Sequence, residues 1–238
     1  MHIVFASMEE AYELAKSYEL SVMDECKDFT PVRRKSFLSS RALLLLMLKT
    51  FYNCRLNSLP QMVKVSGCKP VFLESRYPNF NISHSKNTVC IALSSENEYA
   101  GIDIEYIKDR KNLDGLIDRV MSEDEKAYIR SLEDNDKIKD FFTAMWTVRE
   151  SVIKASGRGL VDIQSISINP VKANLSYYLL PSSLKVQTVR FDSLDKSQSP
   201  SYLSFVLGKK ESPLFYTLKE GSLLLLDNSD LSYCFSVS

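Results

Sequence analysis

Glycine is scarce in this chain, seven residues in 238, and tryptophan occurs once and histidine twice. With so few glycines and no Pro/Gly-rich stretch, no flexible linker divides the sequence, so any two lobes must be joined closely. Long apolar runs are missing too. The longest, ALLLLML from Ala42 to Leu48, falls far short of the ~20 residues that span a bilayer. The opening MHIVFASMEEAYELAK lacks the basic start, long apolar run and small-residue cleavage site of a secretory signal. The expectation is a soluble cytoplasmic protein with no membrane partner. Cys26, Cys54, Cys68, Cys90 and Cys234 form no C-x-x-C pair, which argues against a thiolate zinc centre and a disulfide framework alike. Thirty Lys+Arg balance thirty Asp+Glu, so no overall field draws the chain to nucleic acid or an anionic membrane. An anionic ligand has to be caught by a local cluster.

What is present has a bipartite order. Residues 33–51 read as a helix rich in Leu and Arg, followed by loop to about Asn79. FNIS (Phe80 to Ser83), TVCIAL (Thr88 to Leu93) and GIDIE (Gly101 to Glu105) read as strands, the middle one buried on both faces. Asn112 to Val120, Glu123 to Leu132 and Lys137 to Ser156 then read as helices, with a capping box formed by Ser122 and Glu125. Gly157 and Gly159 stop the last of these. DIQSISI, LKVQTVRF, YLSFVL, SLLLLD and SYCFSV follow as strands that complete a second lobe. Helix then sheet, twice, predicts an α/β (α+β) fold of two similar lobes, residues 1–100 and 101–238. No residue-level repeat accompanies this duplication, which rests on element order.

Chemistry concentrates in a few places. In GIDIE the side chains alternate, so Ile102 and Ile104 face the core while Asp103 and Glu105 share the other face, roughly 7 Å apart at the backbone. Two acids there repel one another unless they are solvated on an exposed face or hold a hard cation such as Mg2+. In the helix from Phe141, residues Ile138, Phe142, Met145 and Val152 form an apolar stripe edged by Trp146 and Ile153. Glu150 and Lys154 sit side by side next to that edge, either as an i,i+4 salt bridge or as site residues. Arg149 falls inside the stripe, where a charge needs a partner or a pocket. NISHSKN puts His84 between Ser83 and Ser85 at a strand end, either as a local hydrogen-bonding residue or as part of a set suited to phosphate. Arg34 and Arg41, seven residues apart on one helix face, are either solvated or a fork for phosphate. A G-x-x-x-x-G-K-[ST] loop is absent, which counts against a P-loop nucleotide hydrolase.

Taken together and in order, these segments resemble the 4'-phosphopantetheinyl transferase superfamily, in its large single-chain branch typified by the activators of surfactin and enterobactin synthetases. RRKSFLSSRALL is similar to the family's Arg-containing helix, FNISHSK to F-N-x-S-H-S-G, and GIDIE to G-x-D-x-E. VMSEDEKAYI is similar to F-x-S-x-x-E, and WTVRESVIKASGRGL to W-x-x-K-E-x-x-x-K-x-x-G-x-G-L. The resemblance covers about residues 33–160. It implies a pseudo-dimer of two α/β lobes with the active site in the cleft between them, acting as a monomer. It also implies transfer of the phosphopantetheine arm of coenzyme A to a serine of an acyl or peptidyl carrier protein, with release of adenosine 3',5'-bisphosphate.

By the same resemblance, Asp103, Glu105 and Glu150 hold Mg2+, or Mn2+ in its place, and Lys154 and His84 bind the pyrophosphate with Ser83 or Ser85 assisting. Arg34 and Arg41 approach the 3'-phosphate. The base that takes the serine proton is Glu125 or Glu150, directly or through water. Two positions depart from the family pattern. Lys86 stands where S-H-S-G has glycine, and Arg149 replaces the first lysine of W-x-x-K-E. These departures leave a second expectation open, a paralogue that binds coenzyme A or a carrier protein without transfer.

Overall fold

The chain opens on β1 (His2–Ser7), whose side chains alternate between two cores, Ile3 and Phe5 on one side and Val4 and Ala6 on the other. Ser7 then caps α1 (Met8–Ser17), its hydroxyl accepting from the Glu10 N–H at 3.1 Å. Both elements precede the first helix read from the sequence; S-x-x-E at Ser7 and Glu10 was their available signal. A computed structural model of the protein describes residues 1–19, 25–55, 57–64, 69–94, 99–191, 200–227 and 231–237. In it α2 (Pro31–Tyr52) brackets the expected helix, with Pro31 in the first turn and Asn53 in the left-handed region, φ 48°, at its end.

The stretch read as loop contains a small hairpin, β2 (Met62–Val63) and β3 (Val71–Phe72). Then come β4 (Asn79–Ser85), β5 (Thr88–Ser94), β6 (Gly101–Tyr106), α3 (Leu113–Val120), α4 (Glu123–Arg130) and α5 (Asn135–Ser156). All seven residues of β5 are buried, as expected of a strand covered on both faces. The Ser122–Glu125 capping box is formed. DIQSISI is not one strand. Leu160–Ser165 is a 3₁₀ turn and β7 (Ser167–Asn169) follows. The buried isoleucines explain the break, since Ile163 and Ile166 keep a three-residue period while Ile166 and Ile168 keep the two-residue period of a strand. The chain continues through β8 (Asn174–Ser176), β9 (Lys185–Phe191), β10 (Ser201–Leu207), β11 (Leu214–Lys219), β12 (Ser222–Leu225) and β13 (Ser232–Val237).

Two main sheets result, β12-β11-β1-β5-β4 and β13-β9-β10-β6. The α/β expectation holds, with one correction. The strands after Leu160 do not all complete a second lobe, because β11 lies parallel beside β1 and carries β12 with it into the first sheet. A division by residue number at 100/101 therefore cuts across the first sheet. Helices α1 and α2 cover one face of that sheet, α5 covers one face of the other, and the remaining faces share a core of Ile3, Phe5, Ile102, Ile104, Leu203 and Phe205. Cys54 and Cys90 are free thiols. Among the described residues no helix is long and apolar enough to cross a membrane.

Strands β4 and β6 are edges of different sheets, and side chains join them where a backbone ladder does not. Asn81 Oδ1 accepts from the Ile102 N–H at 3.1 Å, and Ser83 Oγ from the Ile104 N–H at 3.3 Å. These hydroxyl and amide groups satisfy buried donors that an edge strand would leave open. On its other side β6 approaches α5 so closely that a Cβ on Gly101 would stand 2.7 Å from Ala155 Cβ and 2.8 Å from its backbone N, with the Ser151 carbonyl oxygen nearer still. Backbone cannot be displaced cheaply, so Gly101→Ala should destabilise by about 1–3 kcal/mol or more. Thermal melting checks this, and a variant as stable as wild type would show that β6 and α5 can separate.

Candidate active site

The seam between β4 and β6, closed over by α5, is where acid and base side chains meet. Ser83 Oγ donates to Asp103 Oδ1 at 2.8 Å, and Lys154 Nζ donates to the same carboxylate oxygen at 2.6 Å and to Ser83 Oγ at 3.0 Å. Asp103 is 5% exposed, and its Oδ2 is buried with no hydrogen-bond partner among the described residues. Burial raises its pKa, against the pull of Lys154 and Ser83. One residue pair further along the same strands, Ser85 Oγ donates to Glu105 Oε2 at 3.2 Å. Glu105 is also held by Lys108 at 2.9 Å, with Arg110 at 3.9 Å.

Glu150 projects from α5 toward the same acids. Its pKa is pushed up to about 7, first by burial and then by the charge of Asp103, with Lys154 opposing and Glu105 adding to the rise. A carboxyl held near 7 binds its proton in the folded state at pH values where the unfolded chain, near 4.5, has lost it. The sign follows: this contribution to stability is intact below about pH 4.5 and is lost as pH rises toward 7. His84, whose pKa is lowered by burial and by Lys154, acts oppositely below its ordinary 6.5. In chelator, the fall in melting temperature from pH 5 to 8 should therefore be larger for wild type than for Glu150→Gln; equal slopes would remove Glu150 as the cause.

The sequence-derived residues are brought together unequally. Asp103, Glu105, Glu150, Lys154, Ser83 and Ser85 share the seam. His84 lines the wall of an adjoining cavity of about 770 Å³ with Arg41. Arg41 Nε is buried without a hydrogen-bond partner among the described residues, its guanidinium lies 4.6 Å from the Phe37 ring centroid, and burial lowers its pKa. Arg34 does not line that cavity. Arg33 does, stacked over the Phe29 ring at 3.9 Å.

Glu125 lies elsewhere. It is fully buried and gripped by both terminal nitrogens of Arg149, also fully buried, while its Oε2 accepts from the Ser122 N–H at 2.9 Å. The partner that Arg149 needed inside the apolar stripe is this carboxylate, from α4. Lys86 adopts φ 47°, the left-handed conformation that glycine takes freely, and its ammonium sits 5.0 Å from the Tyr106 ring centroid.

The sequence reading missed two lysines. Lys64 and Lys69 line a second cavity of about 310 Å³ together with Glu150, Lys154, Gly157 and Gly159. Their clue was two basic residues between two short apolar strands, each too small to show a period. The cavities share Lys64, Pro70 and Ile82, so they form a continuous cleft. Arg33, Arg41, Lys64, Lys69 and Lys154 line it against Glu25 and Glu150, which makes it a basic channel ending at an acidic seam.

A hard divalent cation suits that seam chemically, because its oxygens include one buried and unpartnered and a carboxyl that burial and like charge hold near neutrality. Among the described residues no three His, Cys, Asp or Glu side chains already stand as a ready ligand set. Glu105 would have to leave Lys108, a partly exposed pair worth at most about 1 kcal/mol.

The sequence pattern of the 4'-phosphopantetheinyl transferase superfamily matches residues 99–204, which include both acidic motifs. The 4'-phosphopantetheinyl transferase AcpT of Salmonella typhimurium is 32% identical over 163 residues, 68% of this chain and 74% of that protein. The 4'-phosphopantetheinyl transferase HetI of a Nostoc species is 33% identical over 147 residues, 59% of each chain. A putative 4'-phosphopantetheinyl transferase of Haemophilus influenzae is 30% identical over 169 residues, 69% of this chain and 66% of that protein. With AcpT matched over nearly three-quarters of its length, the chain belongs to the 4'-phosphopantetheinyl transferase superfamily.

Proposed function

We propose that this protein moves the 4'-phosphopantetheine arm of coenzyme A onto a serine of an acyl or peptidyl carrier protein, in a Mg2+-dependent reaction that releases adenosine 3',5'-bisphosphate. The observation that carries this reading is the basic cleft from Arg41 to Lys154, which ends on Asp103 and Glu150. A molecule with a 3'-phosphate at one end and a diphosphate further along matches cations spaced along a channel. Arg41 and Arg33 take the 3'-phosphate; His84, Lys64, Lys69 and Lys154 take the diphosphate.

Asp103 and Glu150, with Glu105, would hold the Mg2+. Its chemistry there is charge neutralisation of the diphosphate and of the departing nucleotide. The serine oxygen forms a bond to the phosphorus that carries pantetheine, and the bond from that phosphorus to the bridging oxygen breaks. The serine proton passes to Glu150. Of the two nominated bases, Glu150 lines the cleft, whereas Glu125 is sealed by Arg149. Neither departure from the family pattern disturbs this assignment, since Lys86 keeps a glycine-like backbone and Arg149 faces the core. Coenzyme A, Mg2+ and a panel of apo carriers, followed by weighing each carrier, test the reading. A phosphopantetheine mass gain on at least one carrier is expected; none across acyl and peptidyl types would sink it.

A further inference from the structure

We propose that Lys154 is the resident counter-ion of the acidic seam, and that it makes divalent-cation binding and coenzyme A binding support each other. The inference rests on the transferase reading above. Lys154 Nζ contacts Asp103 Oδ1 at 2.6 Å and Ser83 Oγ at 3.0 Å, and Ser83 Oγ donates to the same Oδ1 at 2.8 Å, so the three groups close a ring. The oxygen that Lys154 neutralises belongs to a carboxylate 5% exposed, whose other oxygen lacks a partner among the described residues. The ammonium thus relieves the burial of Asp103 and part of its repulsion with Glu150.

A divalent cation entering this seam meets a positive charge already in hydrogen-bond contact with its best ligand. Two cations a few ångströms apart in a part-buried site repel, and both compete for one carboxylate. Lys154 also lines the cavity that holds Lys64 and Lys69, so a diphosphate there offers the ammonium another anion. Anything that draws Lys154 from Asp103 favours the metal ion, and by reciprocity the metal ion favours the anion. Lys154 therefore weakens binding of a lone cation and strengthens binding of the cation with coenzyme A, a loading order set by one side chain.

The test is Mn2+ affinity, measured by electron paramagnetic resonance on the full chain, alone and with coenzyme A. Lys154→Met should bind Mn2+ alone about tenfold or more tighter than wild type, within the usual range of site coupling. Coenzyme A in chelator should bind this variant more weakly, and its enhancement of Mn2+ affinity should shrink. Lys154→Arg keeps the charge and should leave Mn2+ alone weakly bound. If Lys154→Met does not fold, Lys154→Gln takes its place with the same expectation. Equal or weaker Mn2+ binding by the neutral variant overturns the proposal. Mn2+ binding that survives Asp103→Asn would also overturn it, because the cation would then not compete with Lys154 for that carboxylate, whereas a wild type inactive on every carrier would overturn the transferase reading beneath it.

Discussion

Asp103→Asn is expected to slow phosphopantetheine transfer about 100- to 1,000-fold while leaving the fold in place. A metal ion in such a site contributes several kcal/mol to the transition state, and each 1.36 kcal/mol is about tenfold in rate. Asparagine has the shape of aspartate, and its Oδ1 can still accept from Ser83 Oγ and Lys154 Nζ. What disappears is the negative charge at Oδ2, the buried oxygen with no partner among the described residues. The loss should appear in turnover on an apo carrier at saturating coenzyme A, together with lost Mn2+ binding and a circular dichroism spectrum matching wild type. A variant within a few-fold of wild type would mean that Asp103 is only the structural partner of Lys154. The seam would then be a charge-balanced joint between two sheets, and the metal site would have to be sought elsewhere.

Breaking the Glu125–Arg149 pair should cost about 3–5 kcal/mol, because either partner left alone is an uncompensated charge in a dry core. For a chain of this size that corresponds to a melting temperature lower by about 6–20 °C. Glu125→Ala also removes the acceptor for the Ser122 N–H and loosens the start of α4. Arg149→Lys restores the residue usual in the family and keeps the charge, but a lysine cannot reach both carboxylate oxygens while also donating to the Ile166 carbonyl, which Arg149 Nη2 does at 3.3 Å. Its loss should be smaller than that of Arg149→Met. Replacing both partners by apolar residues, Glu125→Leu with Arg149→Met, should recover much of the single-variant loss, and calorimetry on the set measures it. The same variants separate structure from chemistry. Glu125→Gln assayed well below its melting temperature should keep most of its transfer activity; a general base in that position would cost two to four orders of magnitude, about the usual contribution.

The elements that could be read in advance are those whose signal is local. Residues 33–51 carried a Leu- and Arg-rich helical signal, β5 was an apolar run of strand length, and Ser122 with Glu125 spelled out a cap. The alternation in GIDIE placed Asp103 and Glu105 opposite Ile102 and Ile104, which is how β6 sits. Even the conflict at Arg149 was legible, since a charge in an apolar stripe demands a partner. That the partner is Glu125 was not, because the pairing crosses from α5 to α4 and no spacing rule links the two.

The amino-acid order by itself therefore determined which segments could be helix or strand, which faces were apolar, and that acids, a histidine and basic residues recur in the order of one enzyme family. Tertiary structure alone decided three things. The return of β11 and β12 to the first sheet depends on a parallel pairing with β1 between residues more than two hundred positions apart, and strand register is chosen by packing, not by neighbours in the chain. Arg33, Lys64 and Lys69 enter the cleft because the hairpin and the start of α2 fold against it. Finally, a D-x-E with a solvated alternative became a buried seam because two sheet edges meet there under α5. Burial is what lifts Glu150 to about 7 and binds Lys154 to Asp103, and burial is a property of the assembled fold, not of the motif.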